Sequence, residues 1–314
     1  MFKRLRIIEL SFTCLVILGF SLNVMHAQEP SNSLVESKKY NLSICAIFRD
    51  EAKYLKEWLE YHKMIGVEHF YLYNNGSADS SIKVLTPYIK EGLVTLIYWP
   101  DRLPNYQMED TAAWVLTTQA PAYENVAKYL ALKDTKWLVV LEVDEFLVPV
   151  NTRVLSEVLN SYDEYPGLQV LCDFFDASSN ENIIPRRNLL IETVELAGVP
   201  EQKIEKSVEK IIFKPECYTS FTWPPYKCNF KDNKAAIKLS KNELRINKYA
   251  NRSKGALLFG KIKDKLHVDN RTLSYEEILM VLENGFEIED QERVIQRFVP
   301  ELRKRMNFET GWDW

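Results

Sequence analysis

Between Leu42 and Trp99 two patterns alternate, and that alternation leaves few folds open. Leu42–Phe48 is an apolar run of strand length. Glu51–Ile65 carries Tyr54, Leu55, Trp58, Leu59 and His62 at helical spacing and closes on Gly66. His69–Tyr73 reads as a second strand ending in Asn74-Asn75-Gly76-Ser77, a strong turn signal. Ser80–Ile89 reads as a second helix and Leu93–Trp99 as a third strand. This β-α-β-α-β order predicts an α/β fold, a mostly parallel sheet flanked by helices.

The pattern continues with a helix over Thr117–Leu132 and a buried strand over Lys136–Leu141. That strand runs straight into Glu142-Val143-Asp144-Glu145-Phe146. A helix over Val154–Tyr162 and a strand over Leu168–Phe175 follow. Beyond residue 200 the signals weaken to short strands at Ile211–Phe213, Ala236–Leu239 and Glu243–Ile246. Helices are expected at Tyr275–Asn284 and Gln291–Met306. The expected division is an α/β domain over 41–262 and a C-terminal helical extension over 263–314, giving the chain an α+β tail.

The start of the chain obeys other rules. Lys3, Arg4 and Arg6 precede the apolar run Leu10–Val24, and Ala27 follows. Residues 1–27 are therefore expected to be a signal peptide or a retained signal anchor, followed by a polar linker over 28–40. Either form implies an exported or secretory-pathway protein, and the anchor would associate it with a membrane. Export permits disulfides. Cys217 and Cys228 are close enough in sequence to pair, whereas Cys45 sits in an apolar strand and reads as a buried thiol.

The sharpest chemical signal is acidic. An apolar strand delivers Glu142 and Asp144 to its carboxyl end, where ligands bind in open α/β sheets. Extended alternation would put both carboxylates on one side. Two hard oxygen donors there suit Mg²⁺ or Mn²⁺, which would bridge them to a diphosphate. The junction after the first strand adds Arg49, Asp50 and Glu51, and the turn after the second adds Asn74, Asn75, Ser77 and Asp79. Asp50 and Asp79 are equally suited to capping the helices that follow. His62 shares a helix face with Trp58 and reads as packing. The net charge of -4 argues against a nucleic-acid surface. The sequence contains no His-Glu-x-x-His, Gly-x-Ser-x-Gly, Walker or Gly-x-Gly-x-x-Gly element in a fitting position, which disfavours zinc proteases, α/β-hydrolases, P-loop enzymes and dinucleotide oxidoreductases.

Three blocks carry a family resemblance. Ile47–Ser81, IFRDEAKYLKEWLEYHKMIGVEHFYLYNNGSADSS, and Gln119–Phe146, QAPAYENVAKYLALKDTKWLVVLEVDEF, resemble glycosyltransferase family 92 and related family 2-like transferases. Leu244–Lys261, LRINKYANRSKGALLFGK, resembles a third block, usually read as Ile-Asn-His-Tyr-x-x-Arg-Ser. The resemblance implies a GT-A fold, a nucleotide-sugar donor, a divalent metal (Mn²⁺ or Mg²⁺) and a hydroxyl acceptor on a glycan, lipid or protein. It implies that Arg49, Glu51, Asn74, Asp79, Gln119, Lys248 and Arg252 face the donor, and that Glu142 and Asp144 hold the metal. Three departures stand out: Glu142 replaces the usual Asp, Lys248 replaces the usual His, and Phe221–Phe230 lacks the histidine expected nearby. His267 is the one histidine left in the C-terminal half, so it is the candidate third metal ligand. The expected reaction is hexose transfer from a uridine-diphosphate sugar with inversion. Asp173, Asp176 and Glu192 are candidates for the base, with Asp176 favoured. Two other readings stay open: a catalytically silent carbohydrate-binding or scaffold protein that keeps the fold, and a nucleotidyl- or phosphotransferase, which the missing Gly-rich loop disfavours.

Overall fold

Strand β1, Tyr40–Phe48, shows why the first half folds as it does. Leu42, Ile44, Ala46 and Phe48 enter one apolar core, and Cys45 and Ile47 enter another on the opposite face. A strand covered on both faces is apolar at nearly every position, so its sequence reads as a run; the buried exception here, Ser43, shares a hydrogen bond with the Thr135 hydroxyl at 2.8 Å. The computed structural model describes residues 37–101, 111–176, 189–192, 195–196, 208–222, 227–250 and 290–307. From Lys38 onward they belong to one compact unit. The proposed signal or anchor segment, most of the linker, the Tyr275–Asn284 helix, Arg252 and His267 lie outside the described residues.

Helix α1, Ala52–Met64, leads to β2, His69–Asn74; α2, Ser81–Lys90, leads to β3, Val94–Tyr98. A long helix, α3, spans 111–134 and feeds β4, Thr135–Val140. The remaining strands are β5, Glu145–Pro149; β6, Gly167–Asp176; β7, Glu195–Leu196; β8, Val208–Phe213; β9, Tyr218–Thr222; β10, Lys227–Phe230; β11, Ile237–Lys238; and β12, Leu244–Ala250. Helix α4, Leu155–Asn160, lies between β5 and β6, and α5, Val299–Arg305, comes last among the described residues. The main sheet runs β3-β2-β1-β4-β8-β6-β12-β5, with β7 and β11 added alongside β6, while β9 and β10 form a separate hairpin.

The expected α/β sheet is present. Strands β1 to β4 pair in parallel, and the sheet becomes mixed beyond β4. Strand β8 is antiparallel to both β4 and β6, so β6 runs in the direction of β4. Strand β12 is parallel to β6 and antiparallel to β5. The carboxyl ends of β1, β2, β4, β6 and β12 therefore share one edge with the amino ends of β5 and β8. This shared edge positions the site.

Helix α1 ends as its sequence predicts. Gly66 has φ +101°, its N–H bonds Lys63 O, and Val67 N–H bonds His62 O. This pair of bonds is a Schellman closure, and glycine adopts the left-handed residue without Cβ strain.

The sequence did not reveal β5, which forms an edge strand. Three side chains of α1 satisfy its outer backbone. Trp58 Nε1 donates to Glu145 O at 2.8 Å, Tyr61 Oη donates to Leu147 O at 2.8 Å, and Leu147 N–H donates to His62 Nε2 at 3.2 Å. Arg297 continues the seal by donating to the carbonyls of Pro149, Val150 and Thr152. An open edge would expose unpaired N–H and C=O groups, and here side chains take the place of a neighbouring strand.

His62 is thus more than packing. Leu147 N–H points at Nε2, so the ring proton sits on Nδ1 and faces Trp58 O at 2.8 Å. Burial pushes the His62 pKa from 6.5 down to about 3. The unfolded chain accepts a proton near pH 6.5 that the folded chain refuses. Stability should therefore fall as pH drops from about 6.5 toward about 3, by roughly 1.4 kcal/mol per pH unit from this group. Urea unfolding of wild type and His62→Gln at pH 7 and pH 5 checks this. The variant should lose about 2 kcal/mol less across that interval, and equal slopes would refute the assignment.

Other elements differ from the sequence expectation in detail. Helix α3 starts earlier than Thr117 and contains two π segments, Val115–Gln119 and Val126–Leu130. The Gln291–Met306 region begins as a 3-10 helix over Asp290–Phe298 before α5. Cys217 and Cys228 are free thiols, and Cys45 is buried as expected. Among the described residues no helix is long and apolar enough to cross a membrane.

Candidate active site

The acidic cluster forms by a different route from the expected alternation. Strand β4 stops at Val140, and the chain turns tightly before β5. Glu145 N–H bonds Glu142 O at 3.0 Å, and Glu142 N–H bonds the Glu145 carboxylate at 2.8 Å. Tyr249 N–H holds Asp144 O at 2.8 Å from β12. The turn brings Glu142 and Asp144 together and adds Glu145, with ligand oxygens all within 4.8 Å of one another. Three hard carboxylates at that spacing could hold a metal ion.

Two lysines enter the cluster. Strand β12 sets Lys248 opposite Glu145. Lys248 Nζ contacts Glu142, lies 3.1 Å from Glu145 Oε1 and is 3.6 Å from Asp144 Oδ1. Lys210 comes from β8, with Nζ 2.7 Å from Glu145 Oε2 and 3.8 Å from Glu142 Oε1. Lys210 and Glu145 side chains are 2% and 1% exposed, so this pair is deep, whereas Lys248 is 17% exposed. Burial alone would lower the Lys248 pKa, but Glu145, Glu142 and Asp144 outweigh it and hold the ammonium above the ordinary lysine value.

A cleft of about 340 Å³ opens beside the cluster, lined by Arg49, Glu51, Asn75, Trp114, Gln119, Glu142 and Asp144 among others. Trp114 immediately precedes the first π segment of α3, and Gln119 is its last residue. A π turn closes from i to i+5, so residues five apart fall on one face, which an ordinary α-turn would separate. This irregularity gives the cleft both side chains.

The floor of the cleft is a hydrogen-bonded network. Arg49 Nε and Nη2 donate to Asn75 O and Oδ1, each at 2.7 Å, and Nη2 also reaches Asp101. Asn75 Nδ2 donates to Trp99 O at 2.8 Å and Asp101 Oδ1 at 3.0 Å, and Trp114 Nε1 donates to Asp101 Oδ1 at 3.2 Å. Partial burial pushes the Asp101 carboxyl up, but the bonds from Arg49, Asn75 and Trp114 overcome it and keep the group below the usual carboxylate range.

Six of the twelve expected site residues converge here. Arg49, Glu51, Gln119, Glu142 and Asp144 line the cleft, and Lys248 sits on the cluster. Asn74 and Asp79 are not among the lining residues. Asn74 Oδ1 accepts Ser77 N–H at 2.8 Å. Asp79 accepts Ala52 N–H at 2.8 Å and Ser81 N–H at 2.9 Å, serving the first turns of both α1 and α2. Asp50, at φ 57°, accepts Ala78 and Asp79 N–H and so ties the two junctions together. On β6, Asp173 pairs in register with Asn247, and Asp176 with Ala250. Sequence reasoning missed Lys210, Glu145, Asp101 and Trp114. A lysine directly before the apolar run Ile211–Phe213 was the available signal for the first.

The comparisons with known proteins decide the family. The model of glycosyltransferase family 92 matches residues 38–287. The chain belongs to glycosyltransferase family 92. A family 92 protein of Oryza sativa subsp. japonica is 24% identical over 217 residues, covering 68% of this chain and 33% of that one. A galactan beta-1,4-galactosyltransferase of Arabidopsis thaliana is 30% identical over 151 residues, covering 43% and 26%. This family 92 chain spans about a third of the length of the curated relatives it matches. Among solved structures, S. aureus TarS 1-349 in complex with UDP-GlcNAc is 11% identical at a TM-score of 0.38, covering 87% of this chain and 77% of that one. A Pyrobaculum calidifontis mannosyltransferase in complex with GDP-Man and Mn²⁺ is 12% identical at 0.39, covering 85% and 71%. Membership in family 92 and the parallel β3-β2-β1-β4 half-sheet together meet the GT-A expectation.

Proposed function

We propose that this family 92 chain transfers a hexose from a nucleotide sugar, a UDP-sugar by preference, to a hydroxyl of a glycan, lipid or protein, with inversion. The observation that carries the proposal is the cleft that opens onto the Glu142-Asp144-Glu145 turn at the carboxyl edge of the sheet. The nucleoside would occupy the cleft between Arg49, Asn75, Trp114 and Gln119, with its diphosphate toward the turn.

The charge of the cluster supports a divalent cation. Among the described residues, three carboxylates face two ammonium groups, a formal sum of -1. A nucleoside diphosphate adds further negative charge, which a divalent cation would offset. Glu142 and Asp144 would hold Mn²⁺ or Mg²⁺, which when bound stabilises charge on the departing diphosphate. Lys248 would add a contact to a phosphate oxygen. The acceptor hydroxyl oxygen forms the new bond to the anomeric carbon as the bond to the diphosphate breaks, and its proton passes to a carboxylate. Asp176, at the end of β6, is the proposed base, with Asp173 as the alternative on the same strand. Direction supports that choice, since β6 ends on the edge where β4 ends.

Titration calorimetry tests donor binding and sets the proposal against a catalytically silent family member. UDP-hexoses titrated with MnCl₂ present should give a saturable heat that EDTA removes. A heat unaffected by EDTA would remove the cation from the account, and no heat with any nucleotide sugar would favour the silent protein.

A further inference from the structure

The Lys248 ammonium and a divalent cation require the same place. Nζ contacts Glu142 and lies 3.1 Å and 3.6 Å from oxygens of Glu145 and Asp144. These carboxylates keep ligand oxygens within 4.8 Å of one another, which is room for one cation centre. We infer that Lys248 is a resident counter-ion that a divalent cation and the donor diphosphate displace together. The inference rests on the metal reading above and adds what the apo site does before the metal arrives.

The two lysines are built for different parts. Lys210 is 2% exposed and lies 2.7 Å from Glu145 Oε2, so Glu145 keeps a partner when Lys248 leaves. Lys248 is 17% exposed, and the carboxylates it touches, Glu142 and Asp144, line the cleft. Its backbone is fixed in β12 by the register with Glu145 and Phe174. A lysine is a point charge on a flexible four-carbon stem, so Nζ can swing without movement of the strand. Free cation alone must break the contacts of Lys248 with Glu142 and Asp144 and leaves the ammonium with Glu145 and solvent. Cation arriving with a diphosphate gives the displaced ammonium phosphate oxygens to contact. Metal and donor binding are therefore coupled through Lys248, and the coupling is reciprocal.

Calorimetric titration of MnCl₂ into the full chain, with and without UDP, tests this in wild type, Lys248→Met and Lys248→Arg. Methionine keeps the length of the apolar stem and removes the charge. Lys248→Met should bind Mn²⁺ alone on the order of tenfold more tightly than wild type and gain less from UDP. Lys248→Arg keeps a cation on the carboxylates and should stay with wild type. Thermal melts establish that each variant is folded. If Mn²⁺ binds wild type with UDP but Lys248→Met shows no tightening toward Mn²⁺ alone, the counter-ion inference is overturned and the metal reading stands. If Lys248→Arg tightens as much as Lys248→Met, charge is not the cause and the inference is likewise overturned. If neither wild type nor Lys248→Met binds Mn²⁺ even with UDP, the metal reading itself is overturned.

Discussion

Asp144→Asn should lower the turnover of a nucleotide-sugar donor by about two to three orders of magnitude, the scale of losing one preorganised group that stabilises transition-state charge. The substitution keeps the shape of the side chain and removes its charge. The turn should survive, because its backbone is held by Glu145 N–H to Glu142 O and by Tyr249 N–H to Asp144 O, neither of which uses the Asp144 side chain. The loss should fall on the chemical step, since the carboxylate lines the cleft beside Glu142 and Lys248. Steady-state release of UDP and a thermal melt, measured on the same preparation, separate these effects. A fall in turnover with an unchanged melt is the expected pair. A large fall in melting temperature would instead place Asp144 in the fold.

The largest stability effect should come from Lys210→Met. Its ammonium and the Glu145 carboxylate are both almost fully buried and 2.7 Å apart. Removing one partner of a buried pair leaves the other charge poorly compensated, at a cost of about 3–5 kcal/mol. Lys248 at 3.1 Å and Glu142 N–H at 2.8 Å still serve Glu145, which places the expected loss at the lower end of that range. Adding Glu145→Gln removes the stranded charge, so the double variant should be more stable than the sum of the single losses. Urea unfolding of the four proteins gives the coupling directly. Strict additivity would show that the two side chains do not stabilise each other.

The first half of the fold was legible because each strand there is covered on both faces and each helix has one apolar side. Such segments keep their periodicity whatever they pack against, and Gly66 marks its helix end by backbone geometry alone. Strand β5 was not legible. Its residues follow the acidic turn without a break, and its outer edge is completed by Trp58, Tyr61 and His62, more than eighty residues earlier in the chain. The acidic pair was visible in sequence, but extended alternation was the wrong reason for it. A tight turn gathers the carboxylates, and it brings in Glu145 as well. Lys210 and Lys248 reach the cluster from β8 and β12, strands whose pairing depends on the mixed half of the sheet. Periodicity within a segment carries no information about such long-range pairing. Asp79 looked like a donor contact by its position after β2, yet its carboxylate bonds to the start of two helices.

On the proposed function, the cleft and the acidic turn act as one site that turns over a nucleotide sugar. The most direct measurement is release of nucleoside diphosphate by the full chain from a panel of nucleotide sugars with MnCl₂, run beside Asp144→Asn. A single metal-dependent site predicts release from at least one UDP-hexose, its loss on chelation with EDTA, and its near-abolition in Asp144→Asn. Release that persists at the wild-type rate in Asp144→Asn, or no release from any donor in the panel, would contradict it.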